Sequence, residues 1–219
     1  MRIRADFSQR EVVLPDNYVW RDSPMPGVER MMLDRVGEEI ARATSLVRYA
    51  PNSEFSSHVH GGGEEFLVLE GLFRDEHGDY SRGSYVRNPI GSKHTPRAGA
   101  DGALLFVKLH QFAPEDTTQK VIHTDTAEWS PGLVDGLSVL PLHQFGTESA
   151  ALVRWAPETR FQPHTHHRGE EIFVLSGVFN DEHGSYPAGS WIRSPHKSQH
   201  NPFTREEGAL IFVKTGHLQ

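Results

Sequence analysis

Cysteine is absent from the 219 residues. That excludes disulfides, iron–sulfur clusters and thiolate zinc sites, and it fits a reducing cytoplasm, the expected location. Any metal must then be held by imidazole and carboxylate. Long apolar runs are missing too. The longest, such as ALLFV at Ala103–Val107, fall far short of the roughly 20 residues that span a bilayer. The opening MRIRADFSQREVVL begins with two arginines, Arg2 and Arg4, but has no apolar stretch of the kind a signal peptide needs, so no membrane association is expected. No run of Lys and Arg is present that would displace counterions from a phosphate backbone, and the formal net charge is -7; nucleic acid is not an expected partner. Helical periodicity is equally scarce. Its one candidate, GVERMMLDRVGEEIARA, contains glycines and has no clean apolar face.

What the chain does have is histidine, 14 in all, together with 20 Gly and 14 Pro. It also has a repeat. Shifted by 106 residues, LVRYAP at Leu46 falls on LVRWAP at Leu152, FRDEHGDY at Phe73 on FNDEHGSY at Phe179, and GALLFVK at Gly102 on GALIFVK at Gly208. From His58 to Gly78, 13 of 21 positions are identical without a gap, a density that marks a duplication. Upstream, Trp20 matches Trp129 and Gly37 matches Gly146 at an offset of 109, so one short insertion separates the two registers. A two-fold repeat of this length means two similar domains, expected at residues 1–115 and 116–219 with the polar APEDTTQK between them.

Within each repeat, short runs rich in Val, Ile, Leu and Phe alternate with Gly, Pro, Asn or Asp, which reads as the strands of an all-β sandwich or barrel. DEHG at Asp75 and Asp181 reads as a hairpin turn between two such runs. Residues i and i+2 of a strand share a face. His58 and His60 therefore point one way, as do His164 and His166. A carboxylate follows in each repeat, and a further histidine recurs 106 residues apart at His94 and His200. Three imidazoles and one carboxylate suit a divalent first-row metal: Zn or Fe, with Ni, Mn or Co as further options, two ions per chain. The carboxylate comes from one of two adjacent glutamates in each repeat, Glu64 or Glu65 and Glu170 or Glu171.

These residues carry a resemblance. His58, His60, Glu64 and Gly71 fit cupin motif one, as do His164, His166, Glu170 and Gly177. Gly83, Pro89, Gly91 and His94 fit motif two, and Gly189, Pro195 and His200 fit it again. The whole chain resembles a bicupin, and GEEFLVLEGLFRDEHGDY with GSYVRNPIGSKHTP resembles the cupin module of ChrR-type anti-sigma factors. The resemblance implies two tandem jelly-roll barrels. Carried over by position, it implies zinc-type ligand sets of His58, His60, Glu64 and His94, then of His164, His166, Glu170 and His200. Related cupins include iron-dependent dioxygenases acting on small ketones and diketones.

Three departures stand out. Asn52 and Glu158 occupy the leading glycine of motif one, Lys197 replaces the second glycine of motif two in the second repeat, and Ala98 and Thr204 stand where an Asn often closes that motif. The ChrR-type regulators also carry an amino-terminal zinc domain built with Cys and His; without cysteine, that half is not expected here, nor is sigma-factor binding. The expected partner is a small-molecule substrate or ligand, and the resemblance also allows a homodimer. Three functional readings follow: a metal-dependent dioxygenase acting on a small carbonyl compound, a zinc-binding sensory protein, or a small-molecule-binding or storage barrel with a purely structural metal.

Beyond the ligands, Arg87 and Arg193 are candidates either for holding a substrate carboxylate or enolate, or for structural ion pairs. Tyr80, Tyr186, Phe106 and Phe212 read as core. Tyr85, Trp191, Phe66 and Phe173 are the side chains expected to shape a pocket. His77, His183, His167 and His196 read as surface turn or loop residues.

Overall fold

A computed structural model describes residues 1–218, nearly all of it in strands and their turns; among these residues the only helical element is a 3₁₀ turn at Pro15–Asn17. The stretch GVERMMLDRVGEEIARA is not helical. It forms most of an antiparallel hairpin, Val28–Gly37 with Ala41–Tyr49, closing on the pair Gly37 and Ala41. Gly37 is needed there: its φ is +125°, and a Cβ would meet the Ile40 carbonyl oxygen at 2.5 Å. The equivalent hairpin of the second repeat, Leu137–Phe145 with Glu148–Trp155, is three residues shorter, which is where the offset changes from 109 to 106. Among the described residues no helix is long and apolar enough to cross a membrane.

The chain forms two compact units with the same strand order. In the first, the main sheet runs Arg2–Ile3, Val28–Gly37, Ala41–Tyr49, Arg97–Leu109, Glu64–Asp75, Ser84–Asn88, Lys120–His123. In the second it runs Ser130–Pro131, Leu137–Phe145, Glu148–Trp155, Ala209–Thr215, Glu170–Asp181, Trp191–Ser194, Glu11–Val13. Each unit adds a two-stranded sheet, His58–Val59 with Lys93–His94 and His164–Thr165 with Gln199–His200.

The expected division at 115/116 follows the repeat, but the compact units depart from it. The first comprises Met1–Ala5 and Val19–Thr126; the second comprises Asp6–Tyr18 and the chain from Ala127 onward. Glu11–Val13 and Lys120–Ile122 are equivalent at the 109 offset, so each repeat lends its leading strand to the other unit's sheet. The physical reason is edge pairing. Lys120–His123 lies antiparallel to Ser84–Asn88, and Glu11–Val13 to Trp191–Ser194, covering backbone groups that would otherwise be left unpaired at a sheet edge.

Strand alternation divides each unit into two faces. On Glu64–Asp75 the side chains of Glu64, Phe66 and Val68 point to one side, and those of Glu65 and Leu67 to the other. The first side is the barrel interior, where Phe66 and Val68 join Tyr49, Phe73, Tyr80, Val86, Leu105 and Val107. Phe73 meets Phe66 at 5.1 Å and Tyr49 at 5.3 Å edge-on, contacts worth roughly 0.5–1.5 kcal/mol each beyond their buried area. Ile172, Val174, Phe179, Tyr186, Ile192 and Ile211 fill the second interior.

The departures from the motif glycines leave the backbone path unchanged. Asn52 and Glu158 both hold φ at +57°, and Lys197 holds +65° where Gly91 holds +86°. Where glycine is kept, it is kept for space: a Cβ at Gly71 would sit 2.1 Å from the Gly102 carbonyl oxygen, and one at Gly177 would sit 2.2 Å from that of Gly208.

Candidate metal centres

Each unit draws four side chains together at one end of its interior. His58 and His94 are direct partners across the small sheet, as are His164 and His200. His60 lies two residues beyond His58 and so shares its face. Glu64 opens the long strand whose inner side carries Phe66. One ligand-type atom from each of His58, His60, Glu64 and His94 lies within 4.8 Å of the others, and the same holds for His164, His166, Glu170 and His200.

The protons on these rings are placed by their outer partners. The Nδ1 of His58 faces the Ser56 carbonyl oxygen at 2.9 Å, that of His164 the Gln162 carbonyl at 3.1 Å, and that of His94 the Asp75 carboxylate at 2.9 Å. A carbonyl or carboxylate can only accept, so each Nδ1 carries the proton and each Nε2 turns a lone pair inward. Buried Nε2 atoms of His60, His94 and His166 and the buried Oε2 of Glu170 have no hydrogen-bond partner. Orphaned acceptors this deep are costly unless something electrophilic satisfies them together. Three neutral nitrogens and one carboxylate oxygen fit a divalent first-row cation.

The shifts of His60 and His166 agree with that assignment. Burial drives the His60 imidazole down despite the opposing pull of Glu64, and burial with two neighbouring histidines takes His166 down to about 3. Both rings are therefore neutral, as a ligand must be. Burial also works against protonation of His94, but the hydrogen bond to Asp75 and the charge of Glu64 prevail and raise it. Burial alone would raise Asp75; hydrogen bonds from His94, the His77 amide and Tyr80 instead hold it below the usual carboxylate range. Glu170 is pushed up by burial to about 7.

The centres differ in their surroundings. Asn88 donates through Nδ2 to Glu64 Oε2 at 3.0 Å, and Ser194 occupies the same position of the second repeat. Asp181, the counterpart of Asp75, accepts from the Tyr186 hydroxyl at 2.8 Å but lies 3.6 Å from His200 Nδ1. His58 is the half-buried member of the first centre, and the Phe55 ring meets it edge-on at 5.3 Å.

Other candidate residues lie elsewhere. Arg87 and Arg193 are fully buried, but not in the interior. Arg87 pairs in register with Glu65, donates to Glu65 and to Asp116, and stacks over Phe112 at 3.9 Å. Arg193 donates to the Asp6 carbonyl oxygen at 3.0 Å and lies over Phe7 at 4.4 Å. Both point to the side opposite the metal-type cluster, because Glu64 and Asn88 occupy the inner side at that register. The contacts of both arginines are those of the structural alternative, ion pairs, hydrogen bonds and ring stacking. Glu65 and Glu171 likewise face outward; Tyr85 donates to Glu65 at 3.0 Å and Trp191 Nε1 to Glu171 at 2.8 Å. Of the four expected pocket side chains, only Phe66 faces a barrel interior.

Asp75 and Asp181 were legible only as turn residues. Their Oδ1 atoms do accept the amides of the DEHG turns, His77 N at 2.8 Å and His183 N at 2.8 Å. In Asp75 the other carboxylate oxygen hydrogen-bonds His94, whereas in Asp181 it stands 3.6 Å from His200 Nδ1. The repeat of Asp at this point was the available signal.

A family model described as the ChrR cupin-like domain matches residues 8–113 and again 117–219. Solved structures share the architecture at low identity. A protein named as a candidate dioxygenase from Nostoc punctiforme superposes with a TM-score of 0.79 at 16% identity, covering 96% of this chain and 83% of its own. The YlbA protein of E. coli gives 0.72 at 18% identity, with 98% and 93% covered. An oxalate decarboxylase from Lactobacillus farciminis gives 0.67 at 14% identity, with 94% and 86% covered. No curated protein gives a significant match.

Proposed function

The chain belongs to the ChrR cupin-like family, and from that premise we propose that it is a metal-dependent enzyme of the dioxygenase type acting on a small carbonyl compound. The observation that carries the reading is the convergence, once in each unit, of three imidazoles and one carboxylate whose inward atoms are largely unpartnered. In such a set a divalent iron supplies Lewis acidity toward a carbonyl oxygen and redox chemistry toward dioxygen.

The chain's own residues support the rest of the reading. His58, His60, Glu64 and His94 would hold the ion in the first unit, and a cation with only four protein ligands could also take a substrate oxygen. The neighbouring wall is apolar, with Phe66, Phe73 and Val86, and excludes water from the centre. In the first unit Arg87, the buried arginine that would best suit a substrate carboxylate, faces the other way. That favours a neutral or enolisable carbonyl compound over a dianion. Asp75 holds the His94 ring in one tautomer and orientation throughout.

The test is elemental analysis of protein prepared anaerobically without added metal or chelator, followed by oxygen uptake with simple 1,3-diketones. About two irons per chain and uptake that is lost in the His58→Ala, His164→Ala double variant support the reading. Two zincs, and no uptake after iron reconstitution, overturn it. That outcome leaves the second reading, a zinc-binding sensory protein, which the family's ChrR description favours.

A further inference from the structure

The two centres are built alike up to the ligands and differ just outside them. In the first, Asp75 gives one oxygen to His94 at 2.9 Å and the other to Tyr80 and the turn amides. In the second, Asp181 has an additional partner. Arg10, delivered by the segment Asp6–Tyr18, donates through Nη2 to Asp181 Oδ2 at 3.1 Å and to the Tyr186 hydroxyl at 2.7 Å. The oxygen that Arg10 takes is the one that would face His200, and the separation from His200 Nδ1 is 3.6 Å. At the 109 offset Arg10 corresponds to Gln119, which belongs to the first unit and carries no charge.

We propose that Arg10 is a positioning residue of the second centre, which by engaging Asp181 makes that centre bind a divalent cation about tenfold more weakly than the first. Two effects act in the same direction. A metal-ligating histidine is made a better donor by a carboxylate on its other nitrogen, and changes in such outer partners typically alter affinity by roughly 10- to 100-fold. The charge sum also differs. A dication with Glu64 and Asp75 comes to neutral, whereas with Glu170, Asp181 and the part-exposed Arg10 one positive charge is left over beside the second centre. The second centre is then the one that exchanges its ion, and the first the one that keeps it. The inference rests on the reading of both clusters as metal centres.

The test uses zinc as the probe, with the full-length chain stripped of metal and titrated against a chromophoric chelator. His58→Ala isolates the second centre and His164→Ala isolates the first. The second should be about tenfold weaker. In the His58→Ala chain, Arg10→Gln should tighten it about tenfold, while Arg10→Lys, which keeps the charge, should leave it weak. Equal affinities, or a weaker second centre after Arg10→Gln that Arg10→Lys restores, would overturn the proposal and make Arg10 a purely structural anchor. A readout on the unmodified zinc-loaded chain is independent of any variant. The Nδ1–H proton of His94 should resonate further downfield than that of His200, and the reverse order would refute the assignment. Binding of no zinc by either single-site chain would instead defeat the metal reading itself.

Discussion

Replacing Glu170 by glutamine should strengthen the metal-free chain while removing one of its two ions. Glu170 is 6% exposed, and its Oε2 has no hydrogen-bond donor. Burial lifts its ionisation from an ordinary 4.5 to about 7. A carboxyl whose folded value is raised binds more protons folded than unfolded across that interval, so it contributes stability at low pH that is lost as pH rises through about 7. Glutamine keeps the shape, does not ionise, and can offer its amide to the Nε2 atoms of His166 and His200, each 3.5 Å from Glu170 Oε2. From 4.5 to about 7, the interval corresponds to about 3 kcal/mol, or a shift in Tm on the order of 10 °C.

The assay is urea and thermal unfolding of chelator-treated wild type and Glu170→Gln at pH 4.5, 6 and 8. The gain should be near zero at pH 4.5, intermediate at pH 6 and full at pH 8. Metal restores the balance: with excess zinc the wild type should gain stability through both centres and the variant through one. A gain that is the same at pH 4.5 and pH 8 would refute the reasoning, because it would come from packing and not from the buried charge.

Asp75→Asn removes the charge behind His94 and should weaken the first centre roughly 10- to 100-fold, read by chelator competition in the His164→Ala chain. Arg87→Met leaves Glu65 and Asp116 without the guanidinium they share and should cost about 3–5 kcal/mol in denaturant unfolding, with metal content of the folded protein still at two ions per chain. Lys197→Gly relieves a left-handed backbone conformation that costs a side-chain-bearing residue about 1 kcal/mol, so thermal unfolding should show a stabilised chain, whereas Gly177→Ala should destabilise it through the clash with the Gly208 carbonyl.

How much of this was legible in the sequence depends on whether the information was local. The duplication, the strand character and the six candidate histidines all follow from patterns within a few residues or at one fixed offset, and the choice of Glu64 and Glu170 follows from the cupin resemblance. His58 and His60 share a face because strands alternate, and that inference needs no partner strand. The face of Arg87 is another matter. It follows from the register that sets Arg87 opposite Glu65 and Asn88 opposite Glu64, and register across strands 22 to 24 residues apart has no local signature. The strand exchange was illegible for a similar reason. Nothing in the composition of Glu11–Val13 and Lys120–His123 says which sheet edge they cover.

The repeat itself shaped what was seen. A residue that recurs in both halves, such as His94 with His200, stands out because chance does not explain the coincidence. A residue that differs between the halves stands out only once its neighbours are known. Arg10 and Gln119, like Asn88 and Ser194, look in sequence like the ordinary drift of two copies. In the folded chain Asn88 and Arg10 lie within hydrogen-bonding distance of Glu64 and of the carboxylate behind His200. Duplication therefore reveals the chemistry the two units share, while any division of labour between them is written at the positions where the copies disagree and their surroundings are alike.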